Sequence, residues 1–129
     1  MFIWEFHLPM KSTPILEIRI AGHVDLETLN AQYLPRLRAE LDKHVLVGLV
    51  VDCREMSGFD VAVPKAHAIM LNDHLNVVHS VAVITQSSLA SFGVAAASLA
   101  LRKRPLRAFE SREEAYAWSS QNHRKAARA

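Results

Sequence analysis

Polar and apolar positions alternate from the start of the chain. Phe2, Trp4, Phe6 and Leu8 interleave with Ile3, Glu5 and His7, a period of two that predicts a strand with one wetter face. Pro9 to Pro14 turns the chain. Leu16, Ile18 and Ile20 then alternate with Glu17 and Arg19 in a second half-buried strand, and the two strands read as a hairpin at one side of a sheet. Gly22-His23-Val24-Asp25 breaks that strand, and Asp25 suits a helix N-cap. Leu26, Leu29, Tyr33, Leu37 and Leu41 mark one face of the helix that follows, to about Lys43. Pro35 removes one of its backbone hydrogen bonds, which predicts a kink or a second start near Gln32.

Val45 to Val51 is apolar on both faces, as in a central parallel strand covered by helices. It closes at Asp52, and Asp60 stands eight positions on. The strand is expected to end at the first acid and a helix to begin after the second, with Pro64 in its first turn. Met70, Leu71, His74, Leu75 and Val78 form that helix's stripe. Ser80–Thr85 reads as a buried strand, Ser87 or Ser88 as the cap of a third helix bearing Leu89, Phe92, Ala96 and Leu99, and Pro105–Phe109 as a short last strand. Ser111 and Glu114 make a capping box for a final helix with Ala115 and Trp118 inward. From Asn122 the chain is expected to fray. The order β-β-α-β-α-β-α-β-α implies an α/β fold: a mixed, mostly parallel five-stranded sheet flanked by about four helices.

The 129 residues fit one domain, placed at 1–121, with a basic tail at 122–129. A domain of this size buries roughly 68% of its unfolded surface and needs neither disulfide nor metal to fold. The single cysteine, Cys53, excludes an internal disulfide and fits a reducing cytoplasm. The first residues lack a secretory pattern, and no apolar run approaches the ~18 residues of a membrane span. Residues 1–100 carry seven Lys/Arg against ten Asp/Glu, and residues 101–129 carry eight against three, so the basic excess is C-terminal.

Three stretches resemble the STAS superfamily, and within it the SpoIIAA-like branch of small bacterial proteins. Ile18-Arg-Ile-Ala-Gly22-His-Val-Asp25 is similar to its strand–Gly–x–x–Asp lead into the first helix. Leu49-Val-Val-Asp52 is similar to its central strand ending in an acid. Leu106 to Trp118 is similar to its closing strand and helix, with Phe109, Glu114-Ala115 and Trp118 in place. The likeness runs from about Ile15 to Trp118. It implies the fold and a partner-binding surface. In antagonist members the central acid is followed eight residues later by Asp-Ser, and phosphorylation of that serine switches partner binding. Asp52 and Asp60 keep the spacing, but Val61 holds the serine position and Ala62 the next. The resemblance therefore implies no phosphorylation switch at position 61. Ser57 lies nearby, four positions early.

Other candidates have simpler readings. Asp52 and Asp60 suit acid–base or metal work only if their surroundings separate their pKa values. The preferred reading has Asp52 satisfying loop amides and Asp60 capping the helix at Pro64. His67 and His74 are seven apart, too far for one tetrahedral ion. Cys53 has no Cys or His signature around it and reads as an inert thiol. Thr85-Gln86-Ser87-Ser88 joins a strand to a helix N-terminus and could hold an anion, though it lacks the glycines of a phosphate cradle. Arg102-Lys103-Arg104 and Arg107 read as a solvated face rather than a nucleic-acid site. The aromatic first strand fits core packing, a ligand pocket or self-association through an open edge.

These readings point to a non-enzymatic bacterial binding or regulatory module using Asp52, Phe59, Asp60, Val61, Thr85, Ser87 and Ser88, with no cofactor or metal. Its partner would be a protein or a small amphipathic ligand, with a homodimer open. The first alternative is a carrier or sensor of a ligand such as a lipid, held in an apolar cavity under the second and third helices. An enzyme using Asp52 and Asp60 lacks a nucleophile, a base and a cofactor fingerprint.

Overall fold

The computed structural model describes residues 1–8, 14–86 and 104–128. Five strands form one sheet in sequence order: β1 (Ile3–His7), β2 (Ile15–Val24), β3 (Val47–Phe59), β4 (Val78–Ile84) and β5 (Leu106–Phe109). β1 pairs antiparallel with β2, from Ile3 opposite Ala21 to His7 opposite Glu17, and every other pairing is parallel. The sheet is thus mixed and mostly parallel, as the pattern predicts. The third helix expected after Ser87 lies outside the described residues.

Between β2 and β3 the chain is helical from Leu26 to Leu41, in three pieces. These are α1 (Leu26–Thr28), a π turn (Leu29–Tyr33) and α2 (Leu34–Leu41). Asp25 caps α1 as expected, its carboxylate accepting from the Thr28 amide at 2.8 Å. Pro35 has no N–H to offer and its ring crowds the preceding turn. The backbone widens one turn ahead of it, with the Leu34 N–H reaching the Leu29 carbonyl, so the expected kink takes the form of a π turn.

One face of the sheet holds the main core. Leu16, Ile18, Leu49, Val51, Val81 and Val83 meet Leu29, Tyr33, Leu37 and Leu41, and Met70 and Leu71 of α3 (Val63–Asn72). Tyr33 is fully buried and its ring meets Phe2, Trp4 and Phe6 with centroids 5.5–6.0 Å apart. The aromatic first strand therefore serves as core packing. The Tyr33 hydroxyl pairs with His67 Nε2 at 2.8 Å. Burial pushes the Tyr33 pKa well up and lowers that of His67 to about 4, so the phenol donates to a neutral imidazole.

The opposite face is covered by α4 (Arg112–Arg128). The serine half of its capping box forms: the Glu114 amide donates to Ser111 Oγ at 3.2 Å, while the Glu114 carboxylate reaches back to the Ser111 hydroxyl, which donates to Oε1 at 3.2 Å. Ala115, Tyr116 and Trp118 pack on Ile15, Val50, Ala82 and Ile84. α4 does not fray at Asn122. The Asn122 side chain donates to the Trp118 carbonyl, the His123 ring lies beside that of His79, and the helix runs to Arg128.

Glu17 corrects the alternation read for β2. Its side chain is fully buried rather than on a wet face, because α4 lies over it and supplies partners. Oε1 accepts from Arg112 Nε and the Tyr116 hydroxyl, and Oε2 from Arg19 Nε, each at 2.7 Å. Burial raises the carboxyl pKa, but hydrogen bonds from Arg112, Tyr116 and Arg19 outweigh it and hold it below the ordinary 4.5. Glu17→Ala is expected to cost about 2 kcal/mol in chemical denaturation. That is less than for a fully buried pair, since both arginines are half exposed and can rehydrate. The folded carboxyl pKa is depressed, so its contribution is complete above the unfolded value and lost as pH falls through the folded one. Glu17→Gln should flatten that acid limb of stability against pH.

Candidate functional site

β3 does not end at Asp52. β2 continues to Val24 and offers a parallel partner, so β3 runs seven residues further, to Val24 opposite Phe59. Two irregularities let the longer strand keep pace with the shorter. One falls between Arg19 and Ala21 and the other between Gly22 and His23. The second leaves Ser57 as the extra residue, exposed on a bulge. Gly22 takes φ 81° here, which suits glycine, and a Cβ there would strike the Met1 carbonyl.

This extension separates the two acids. Asp52 lies opposite Arg19 and Phe59 opposite Val24, five residues of β2 apart. At the usual rise of ~3.3 Å per residue the gap is roughly 16 Å. The carboxylates cannot share a proton or an ion at that distance. Each has its own partners. Asp52 accepts from the Arg54 amide at 3.1 Å, from Nε at 3.0 Å and from Nη2 at 2.8 Å. Burial raises its pKa, but Arg54 holds it below the ordinary aspartate value.

Asp60 was expected to cap the helix at Pro64; instead its side chain caps α1. Oδ2 accepts from the Leu26 amide at 2.8 Å, and Oδ1 from His23 Nε2 at 2.9 Å. The extended ladder causes this, because the Asp60 amide bonds to the Val24 carbonyl and so brings Asp60 beside the start of α1. Only its backbone carbonyl serves α3, accepting from Val63 N at 2.9 Å. The His23 hydrogen bond and the Leu26 amide hold the Asp60 carboxyl below its ordinary pKa. Asp60 thus ties β3, His23 of β2 and α1 together.

The remaining candidates do not gather around this pair. Val61 projects into solvent, 93% exposed, while Phe59 packs partly against the core. Thr85 is buried, and its amide donates to the Phe109 carbonyl at 2.8 Å. Ser87, Ser88, Arg102 and Lys103 lie outside the described residues. Arg104 donates to the Leu75 carbonyl and Arg107 lies over the Phe109 ring. Cys53 is buried, and burial followed by the Asp52 charge pushes its thiol up to about 12, so it stays an unreactive thiol at neutral pH. Among the described residues no group of three metal-ligating side chains gathers. A concavity of about 630 Å³ opens beside Asp52, with Ile3, Trp4, Ile20 and Ala21 as well as Glu5, Arg19, Arg54 and Glu55 in its lining. The sequence missed the His23–Asp60 bond; its one signal was a polar residue between Gly22 and Val24 at the end of β2.

The model of the SpoIIAA-like family matches residues 15–120. The chain belongs to the SpoIIAA-like family. An uncharacterised SpoIIAA-like protein of the DUF3478 family from Shewanella loihica PV-4 superposes with TM-score 0.70 at 18% identity, covering 92% of this chain and 95% of that one. The unphosphorylated anti-sigma factor antagonist SpoIIAA superposes with TM-score 0.55 at 17% identity, covering 86% and 92%. Both likenesses are of fold. No curated protein matches. In this SpoIIAA-like chain no helix among the described residues is long and apolar enough to cross a membrane.

The bridging role of Asp60 has a direct test. Asp60→Ala should speed hydrogen exchange of the Leu26 amide and leave that of Thr28, capped by Asp25, unchanged. Equal acceleration of both, or of neither, would show that Asp60 does not cap α1.

Proposed function

We propose that this chain is a non-enzymatic regulatory module that binds a protein partner through the β3–α3 tip and the outer face of α3. The supporting observation is an unpartnered apolar stripe. Val61 is 93% exposed and Ile69 51% exposed, with exposed Lys65 midway between them. Lys65 and Ile69, four apart on α3, share one face of the helix, and Val61 stands in the turn just ahead of it. Apolar side chains flanking a cation suit a partner face with an acidic rim. The tip is held in place by Asp60, so it meets a partner without first being ordered.

Chemistry at the tip has little support. Asp52 and Asp60 each hold hydrogen-bond donors below their ordinary pKa, where a carboxylate is a poor general base. A valine at position 61 offers no phosphate acceptor. The carrier alternative draws on a cavity partly walled by the third helix, which lies outside the described residues.

Two experiments test this reading. Incubation with an anti-sigma-factor kinase and ATP should leave the intact mass unchanged; a phosphate on Ser57 would overturn the unswitched reading. A photo-cross-linking residue placed at Val61 or Ile69 should give a discrete protein adduct in the source cells, and one placed at Ala127 should not. Adducts equal at all three positions, or absent from the first two, would remove the partner face.

A further inference from the structure

We propose that His79, Ser119 and His123 form an acid-sensitive latch that holds the C-terminal half of α4 on the sheet and releases it when the cluster takes up a proton. The latch begins with a bulge. Val47 pairs with Val78 and Gly48 with Ser80, so His79 is an extra residue in β4. A bulge re-aims the side chain it carries, and this one brings His79 towards α4 instead of into the main core.

The groups it meets are polar, buried and unmatched. His79 is 2% exposed and Ser119 fully buried. His79 Nδ1 pairs with Ser80 Oγ at 2.9 Å. His79 Nε2, Ser119 Oγ and His123 Nδ1 are buried atoms without a hydrogen-bond partner among the described residues. The His79 and His123 rings lie 5.3 Å apart, tilted by 54°. Gly48 makes the room: a Cβ there would strike Ser119 Oγ and come within 2.8 Å of His79 Cε1. A buried polar atom without a partner is costly in a low-dielectric setting, and three of them in one cluster leave the contact weakly poised.

The charges around His79 set the sign. Among the described residues, the titratable and charged groups acting on it are His123 from α4 and Arg104 from the segment before β5. β3 presents Gly48 and β4 presents Ser80. Among the described residues no carboxylate acts on the ring. A proton arriving there is buried, unpaired and close to a guanidinium. A divalent metal would meet the same repulsion, and no third ligand completes a set among the described residues. Burial, then His123 and Arg104, lower the His79 pKa from its ordinary 6.5 to about 4. The unfolded or released state therefore binds more protons in that interval. The hold on α4 is complete above the ordinary value, and it weakens as pH falls from there to about 4.

The latch is read by hydrogen exchange with mass spectrometry on the whole chain, at pH about 7.5 and about 5, corrected for intrinsic rates. The expected result is a loss of protection of roughly 10–30-fold at the lower pH, confined to residues 119–128, with β2 and β3 less affected. His79→Gln keeps polarity without a titrating group and should abolish that loss. His123→Gln, at a partly exposed helix position, should reduce it and serves if the first variant does not fold. Equal protection at both pH values in the wild type, or an undiminished loss in the folded variant, overturns the proposal. So does a His79 ring titration with its midpoint at or above the ordinary value.

Discussion

The parallel ladder between β2 and β3 is the constraint on which the rest depends. It outlasts every other pairing in the sheet, since β4 ends opposite Asp52 while β2 follows β3 to Phe59. Two register irregularities and one glycine at positive φ let it do so. The extension turns a strand terminus into strand interior at Asp52. It carries Asp60 to the N-terminus of α1 and projects Val61 beyond the sheet. A ladder ending at Asp52 would have left a loop with two acids free to converge.

The two faces of the sheet are held by different physics. The face under α1 to α3 is apolar and packs around the buried phenol of Tyr33. The face under α4 has a small apolar patch centred on Ala115, with polar groups on either side: Glu17, Arg112 and Tyr116 near the start of the helix, and His79, Ser119 and His123 from its middle onward. Both Glu17 oxygens accept short hydrogen bonds, and His79 Nε2, Ser119 Oγ and His123 Nδ1 of the second set are left unmatched among the described residues. Buried polar groups reward complete satisfaction and penalise its absence, so α4 is anchored at one end and poised at the other.

Local periodicity made most of the fold legible. The alternation in β1, the uniformly apolar stretch of β3, the Asp25 cap and the Ser111–Glu114 box each report on neighbours a few residues away. The parts that were not legible depend on distant contacts. Glu17 reads as a surface residue until Arg112 and Tyr116 arrive from nearly a hundred positions downstream. Asp60 reads as the cap of the nearer helix, and only the extended ladder gives it to the farther one. The Asp52–Asp60 spacing was visible, but spacing in sequence is not separation in space, and two bulges within a strand leave no periodic trace. The exposure of Val61 was not predicted either; the missing hydroxyl was.

The role proposed for the tip, contact rather than chemistry, rests on the two acids standing apart. The most direct measurement is the titration of the Asp52 and Asp60 carboxyl carbons by NMR, in the wild type and in Asp52→Asn and Asp60→Asn. The expected result is that each titrates in one step below the ordinary aspartate value, and that amidating one leaves the other's midpoint unmoved. A midpoint that shifts by about a unit when the other acid is removed, or two-step curves shared by both, would mean the carboxylates interact as a coupled pair, and would contradict their separation by the β2–β3 ladder.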